Sequence, residues 1–193
     1  MYEYIKGNIV VLKPARVIIE ANSVGYSVNI SLYTYSKLNG REQTLLFLHQ
    51  VIREDAHILY GFAEENEREL FRLLISVNGI GANTAVMMLS SLTPDEIKTA
   101  ILNENIRLLQ SIKGIGAKTA QRTIIDLKDK IGKVSASEQI LSSPDNTIRN
   151  EALSALVMLG FAKKPVEKEI DRILGIHPGL SVEDLIKQAL KNL

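Results

Sequence analysis

The sequence predicts an α+β chain built from several small domains, with strands in the first third and helices in the rest. Three observations carry this. Residues 1–62 hold five short β-branched or aromatic runs separated by Gly, Asn and Pro. From residue 64 onward the apolar positions recur at helical spacing. The stretch Ser76-Val77-Asn78-Gly79-Ile80-Gly81-Ala82-Asn83-Thr84-Ala85 returns, at an offset of 35 residues, as Ser111-Ile112-Lys113-Gly114-Ile115-Gly116-Ala117-Lys118-Thr119-Ala120. A period of that size marks one supersecondary unit used twice.

The five runs lie at residues 9–12, 17–19, 26–30, 45–48 and 57–60, with a helical turn expected at 32–38. This order suggests a small Greek-key barrel spanning 1–62, with the OB-fold as the leading candidate. Arg53-Glu54-Asp55-Ala56 falls between the last two runs and reads as a polar hairpin tip. Two adjacent carboxylates there would repel a polyanion. At about 7 Å from a phosphate each costs about 0.6–2.4 kcal/mol as the effective dielectric falls from 80 to 20.

Residues 63–133 read as an all-α domain. Leu70, Phe71, Leu73, Leu74 and Val77 form one buried face ahead of the first Gly-Ile-Gly turn, and a helix is expected over 84–91. Thr93 is an N-cap, with Pro94 at the first helical position and Asp95 and Glu96 in the first turn. Ile97, Ile101 and Leu102 face inward, and Leu108, Leu109 and Ile112 lead into the second turn. The last helix is expected over 119–130, with Ala120, Ile124 and Leu127 inside and Arg122 and Lys128 outside. Residues 134–146 are Ser-rich with Pro144 and read as a flexible linker. Residues 147–193 read as three short helices. The first two are expected to end at Gly160 and Gly175. The third is capped by Ser181, with Leu185, Ile186, Ala189 and Leu190 behind the cap. A core of this size leaves apolar surface for a partner.

Composition narrows the function classes. The 193 residues are 46% hydrophobic and carry a net charge of +1. They contain no Cys, which excludes disulfides, thiol nucleophiles and Cys-based zinc sites and fits a reducing cytosol, so a cytoplasmic placement is expected. No signal peptide and no membrane span are expected. His49, His57 and His177 are scattered without metal-ligand spacing, so no metal or cofactor is expected. The distribution of charge matters more than its sum. Between Arg107 and Lys133 seven basic side chains face only Asp126 and Asp129, while 64–69 is acidic. A basic face and an acidic face are expected.

In each Gly-x-Gly turn the first glycine stops a helix in left-handed backbone. The second leaves room for something to approach, and the residue between them, Ile80 or Ile115, folds into the core. The next helix starts with free N–H groups and a positive dipole end, which favour a phosphate. A dinucleotide-binding turn is disfavoured because its third glycine is Thr84 or Thr119, and a P-loop fails because Lys118 follows Ala117 and the upstream glycine position is Ser111. The pair resembles tandem helix-hairpin-helix motifs, which grip the DNA backbone without reading sequence. The residues expected at phosphates are Gly79, Ile80, Gly81, Asn83 and Thr84 in the first copy. In the second they are Gly114, Ile115, Gly116, Lys118, Thr119, Arg122 and Lys128.

In its order of modules the whole chain resembles the RuvA family, the junction-recognition subunits of the bacterial branch-migration machine. Three stretches carry the likeness: the run from Val51 to Phe62 with its acidic tip, the paired Gly-Ile-Gly turns, and Lys118-Thr119-Ala120-Gln121-Arg122 running into Leu127-Lys128-Asp129-Lys130. The tail, with Met158-Leu159-Gly160-Phe161 between its first two helices, is similar to a ubiquitin-associated-type bundle. The resemblance implies a non-catalytic subunit of recombination and repair. It implies a homotetramer, or an octamer of two stacked tetramers, holding a four-way (Holliday) junction open and square. Glu54 and Asp55 would be acidic pins at its centre. The tail would contact RuvB, the hexameric ATPase motor, through residues such as Leu156, Leu159 and Phe161, and the RuvC resolvase would be a further partner. Asn83 departs from the pattern, since a lysine often stands there. Two other readings remain open on the residues alone: a helix-hairpin-helix DNA glycosylase or lyase using Asp126, for which no nucleophile or metal set is present, and an interaction scaffold in which the turns are mere helix corners.

Overall fold

The computed structural model describes the backbone of residues 2–140 and 144–193 and the side chains of 2–132 and 148–193. The chain divides into two units, Met1–Gly132 and Lys133–Leu193.

The first unit opens with β1 (Tyr4–Lys13), β2 (Arg16–Ala21) and β3 (Val24–Ile30), then α1 (Leu32–Leu38), β4 (Gln43–Ile52) and β5 (His57–Phe62). The strands close into a barrel in the order β1-β2-β3-β5-β4. All the pairings are antiparallel except β3 with β5, where Val28 lies opposite Leu59. This is the five-stranded topology expected of an OB-fold. The strands are longer than their apolar runs because the ladder continues through polar residues facing out. Alternate residues such as Val17, Ile19, Val28 and Ile30 fill the interior.

Four helices and the start of a fifth follow: α2 (Glu65–Ile75), α3 (Ala82–Ser91), α4 (Pro94–Leu102), α5 (Ile106–Gln110) and α6 (Ala117–Ile140). Thr93 caps α4 in a full capping box with Glu96. The barrel and the helices share a core. Tyr60 and Phe62 on β5 are buried with Phe71 and Leu74 of α2 and with Met88 and Leu89 of α3. The Phe62 and Phe71 rings lie 4.9 Å apart, and those of Tyr60 and Phe71 5.3 Å.

A buried carboxylate ties the same seam. Glu67 on α2 accepts from the hydroxyls of Ser31 at 2.5 Å and Thr34 at 2.6 Å. Ser31 is itself the N-cap of α1. Burial raises the Glu67 carboxyl above its ordinary range, and the two hydroxyls only partly oppose this. The folded chain therefore holds a proton at a pH where the unfolded chain has released it, so stability falls as pH rises through that interval. Glu67→Gln is expected to flatten this slope in urea unfolding followed from pH 4 to 8. Glu67→Ala, which orphans both hydroxyls and leaves a void, is expected to cost about 2–4 kcal/mol. An unchanged slope in Glu67→Gln would contradict the assignment.

Three expectations are corrected here. Both post-turn helices begin two residues early, at Ala82 and Ala117, because the second glycine serves as the N-cap in extended backbone (φ −88°, ψ 170° at Gly81). The helix expected to stop at Lys130 runs to Ile140. The serines there are interleaved with Ala136, Glu138 and Gln139, which sustain a helix, and the first breaker is Pro144. With α7 starting at Pro144, the expected linker is helical wherever it is described, and residues 141–143 lie outside the described residues.

The second unit packs α7 (Pro144–Met158), α8 (Lys163–Ile176) and α9 (Val182–Asn192) around Leu156, Val166, Ile170, Ile173 and Leu185. Arg149 holds Asp171 through two bonds of 2.6 and 2.9 Å, tying α7 to α8. α7 ends at Gly160 with φ +99°, as expected, but α8 passes through Gly175, and the left-handed glycine lies beyond it at Gly179. A glycine inside a helix costs only about 1 kcal/mol, which packing of the helix overrides. Ser181 caps α9. Leu185 and Ala189 are buried behind it, whereas Leu190 faces outward at 43% exposure.

Candidate nucleic-acid interface

The two Gly-Ile-Gly turns share the bonds that shape them. In the first, the Ser76 hydroxyl donates to the Leu73 carbonyl at 2.7 Å and the Ile80 amide to the Val77 carbonyl at 3.0 Å. In the second, Ser111 donates to Leu108 at 2.7 Å and Ile115 to Ile112 at 3.1 Å. Gly79 and Gly114 take φ of +98° and +94°, a conformation that glycine alone adopts without strain. A Cβ on Gly81 or Gly116 would meet no atom within 4 Å, so the backbone there is open to a ligand.

Ile80 and Ile115 were expected among the phosphate-contacting residues. Their side chains are buried and their amides are consumed inside the turn. They shape the hairpin and have no donor to offer. The free donors come next. The first intrahelical bonds of α3 and α6 run from Ala85 to Gly81 and from Ala120 to Gly116, both at 2.9 Å. The amides of Ala82, Asn83 and Thr84, and of Ala117, Lys118 and Thr119, therefore have no acceptor within their helices. A glycine N-cap has no side chain to supply one. Ala82 and Ala117 were not among the expected residues. Their signal was positional, since each is the first helical residue after an N-cap glycine.

Asn83 and Lys118 are both exposed, and Thr84 and Thr119 are half-buried. Lys118 forms no ion pair among the described residues, so its charge is free. Arg122 is exposed and lies 3.7 Å from Asp126, one helical turn on. Asp126 is thereby accounted for as the partner of Arg122, and no group of residues suited to a metal occurs among the described residues. Lys128 is half-buried, and its ammonium lies 2.5 Å from a Glu104 carboxylate oxygen, which holds that carboxyl below its usual range. To meet a phosphate it would first have to leave that carboxylate.

Asn83 has a partner that no reading of a single segment could supply. Its side-chain oxygen accepts from the hydroxyl of Tyr60 on β5 at 2.9 Å. Tyr60 is buried, which raises its hydroxyl above the usual phenol range against a small opposing effect of the Arg53 charge.

The acidic tip lies in the four-residue connection, 53–56, of the β4–β5 hairpin. Arg53 donates its amide to the Ala56 carbonyl at 2.8 Å, closing the turn next to the Ile52–His57 pair. Glu54 and Asp55 are both exposed. In the tail, Leu156 is fully buried and belongs to the core, so it cannot meet a partner. Leu159 is exposed at 63%, and Phe161 is half-buried at the end of the same turn. No helix among the described residues is long and apolar enough to cross a membrane.

Comparison with known proteins covers the whole chain. Residues 1–61 match the RuvA N-terminal domain, 71–129 the SAM-like helix-hairpin-helix tandem, and 147–193 the RuvA C-terminal domain. The chain is 53% identical over 193 residues to a Flavobacterium psychrophilum protein and 49% identical over 193 residues to one from Christiangramia forsetii. It is 50% identical over 201 residues to one from Bacteroides fragilis. In each case 100% of both chains is covered, and each relative is named Holliday junction branch migration complex subunit RuvA.

Proposed function

The chain belongs to the RuvA family, and from that premise we propose that it is a structure-selective DNA-binding subunit that recognises four-way junctions and supports their branch migration. The observation that carries this is the pair of identically folded hairpins, each presenting three unpartnered main-chain amides at an exposed glycine-capped helix start. Main-chain donors meet phosphates in any sequence, so selectivity comes from the shape of the DNA. Lys118 and Arg122 add charge at the second hairpin. The first relies on amides and the neutral side chain of Asn83.

The working assembly is a homotetramer, singly or as two stacked rings, with the hairpins of each protomer on the junction arms. Glu54 and Asp55 of every protomer stand at the crossover, where their charge repels phosphates and keeps strands apart. Motion comes from the RuvB ATPase, docked on the tail around Leu159 and Phe161, and the RuvC resolvase acts on the same junction. The chain itself is non-catalytic, and its setting is the bacterial cytoplasm.

Lys118→Ala and Arg122→Ala are each expected to weaken junction binding. Each should also flatten its dependence on log salt by about 0.9 for each phosphate that the side chain no longer neutralises. Unchanged affinity and slope in both would overturn the hairpin assignment. Neutralising the tip with Glu54→Gln and Asp55→Asn is expected to leave binding intact or tighter while altering motor-driven migration. Loss of binding in that double variant would contradict a repulsive role.

A further inference from the structure

We propose that Tyr60 is a positioning residue for the first hairpin, holding the Asn83 amide so that its NH2 group serves as a neutral phosphate donor where the second hairpin uses Lys118. This rests on the junction-binding reading above and specifies how the first hairpin works without a cation.

The geometry is a rigid strut. The Tyr60 ring is held on β5 between two strands, opposite His49 on β4 and Asn29 on β3, and lies 5.3 Å from the Phe71 ring of α2. Its hydroxyl emerges at the N-terminal turn of α3 and donates to the Asn83 side-chain oxygen. With that oxygen occupied, the two N–H donors of the same amide remain. They sit on an exposed residue, beside the free main-chain amides of Ala82, Asn83 and Thr84. An unrestrained asparagine could turn its carbonyl oxygen toward the phosphate as readily as its NH2, and the oxygen would repel it. In the structure the Tyr60 hydroxyl donates to that oxygen, which engages it and leaves the NH2 group outside the bond. Burial of the hydroxyl keeps it protonated and able to donate.

The contrast with Lys118 has a physical consequence. A lysine is a mobile point charge that attracts phosphate from any direction and releases counterions. A clamped amide donates only along fixed directions and releases none. The two hairpins thus divide the work: the second supplies charge and the first supplies orientation. Because the acidic tip leads directly into β5, which also carries Tyr60, the strut references the first hairpin to the strand that follows the tip.

The test is a junction-binding titration of the full chain with Tyr60→Phe, Asn83→Ala, the double variant, and Lys118→Ala as a control, each checked by thermal unfolding. Tyr60→Phe and Asn83→Ala are each expected to lose about three- to tenfold in affinity, with the salt slope unchanged. The double variant is expected to lose no more than Asn83→Ala alone, because the hydroxyl acts only through the amide. Asn83→Lys is expected to restore affinity in the Tyr60→Phe background and to steepen the salt slope. Additive losses in the double variant, or no loss in Tyr60→Phe, would overturn the proposal while Lys118→Ala still weakens binding. No effect of Lys118→Ala either would instead overturn the junction-binding reading beneath it.

Discussion

Replacing Gly81 and Gly116 together by Asp is expected to leave the fold at least as stable as before and to cost junction affinity roughly a hundredfold or more. Aspartate is a preferred N-cap, the backbone at Gly81 is already extended, and neither site has an atom within 4 Å of a new Cβ. Each carboxylate would accept from the amides of its own helix and gain from the dipole, so each helix start should gain a few tenths of a kcal/mol. The same bonds would fill the donors that a phosphate requires. A carboxylate about 4 Å from a phosphate adds about 1–4 kcal/mol of repulsion as the effective dielectric falls from 80 to 20. Stability and binding should therefore move in opposite directions, as read by thermal unfolding and a mobility-shift titration. A double variant that binds normally would mean that the helix starts do not meet DNA.

Truncating Phe71 is expected to have the largest effect on stability. Its ring is fully buried and packs against Tyr60 at 5.3 Å, Phe62 at 4.9 Å and His49 at 5.3 Å. Phe71→Ala removes the centre of the seam between barrel and helices and should cost about 3–5 kcal/mol. The ring belongs to α2 and its partners to β4 and β5, so the barrel and the hairpin helices should lose stability together. A single denaturant transition shifted to lower midpoint for probes in both is the expected outcome. A helical transition that moves while the barrel's stays fixed would show that the shared core does not couple them.

The turns were legible because their chemistry is local. A left-handed residue requires glycine, an N-cap glycine leaves amides free, and both recur at the same offset at Gly79 and Gly114. The barrel was legible through five short β-branched or aromatic runs broken by Gly, Asn and Pro, and the structure buries alternate residues such as Val17, Ile19, Val28 and Ile30. What escaped lies in what covers the other face. Tyr60 and Phe62 read as strand residues, and nothing in their own segment says that α2 and α3 bury them or that the Tyr60 hydroxyl ends at Asn83. Lys128 read as an outward cation, and its pairing depends on Glu104 in a loop 24 residues away. Leu156 and Leu190 illustrate the ambiguity of helical periodicity in a small bundle, where one residue's rotation separates core from surface. The length of α6 was underestimated because serine was read as a linker signal where the neighbouring residues favour helix.

The central claim is that amides at two equivalent helix starts hold the backbone of branched DNA by shape. The most direct measurement is a mobility-shift competition between a four-way junction and a linear duplex carrying the same arm sequences, repeated with the arm sequences scrambled and at moderate salt. The account predicts that the junction is retained at salt where the duplex is released, whatever the arm sequence. Equal retention of junction and duplex, or a preference that follows the arm sequence, would contradict it.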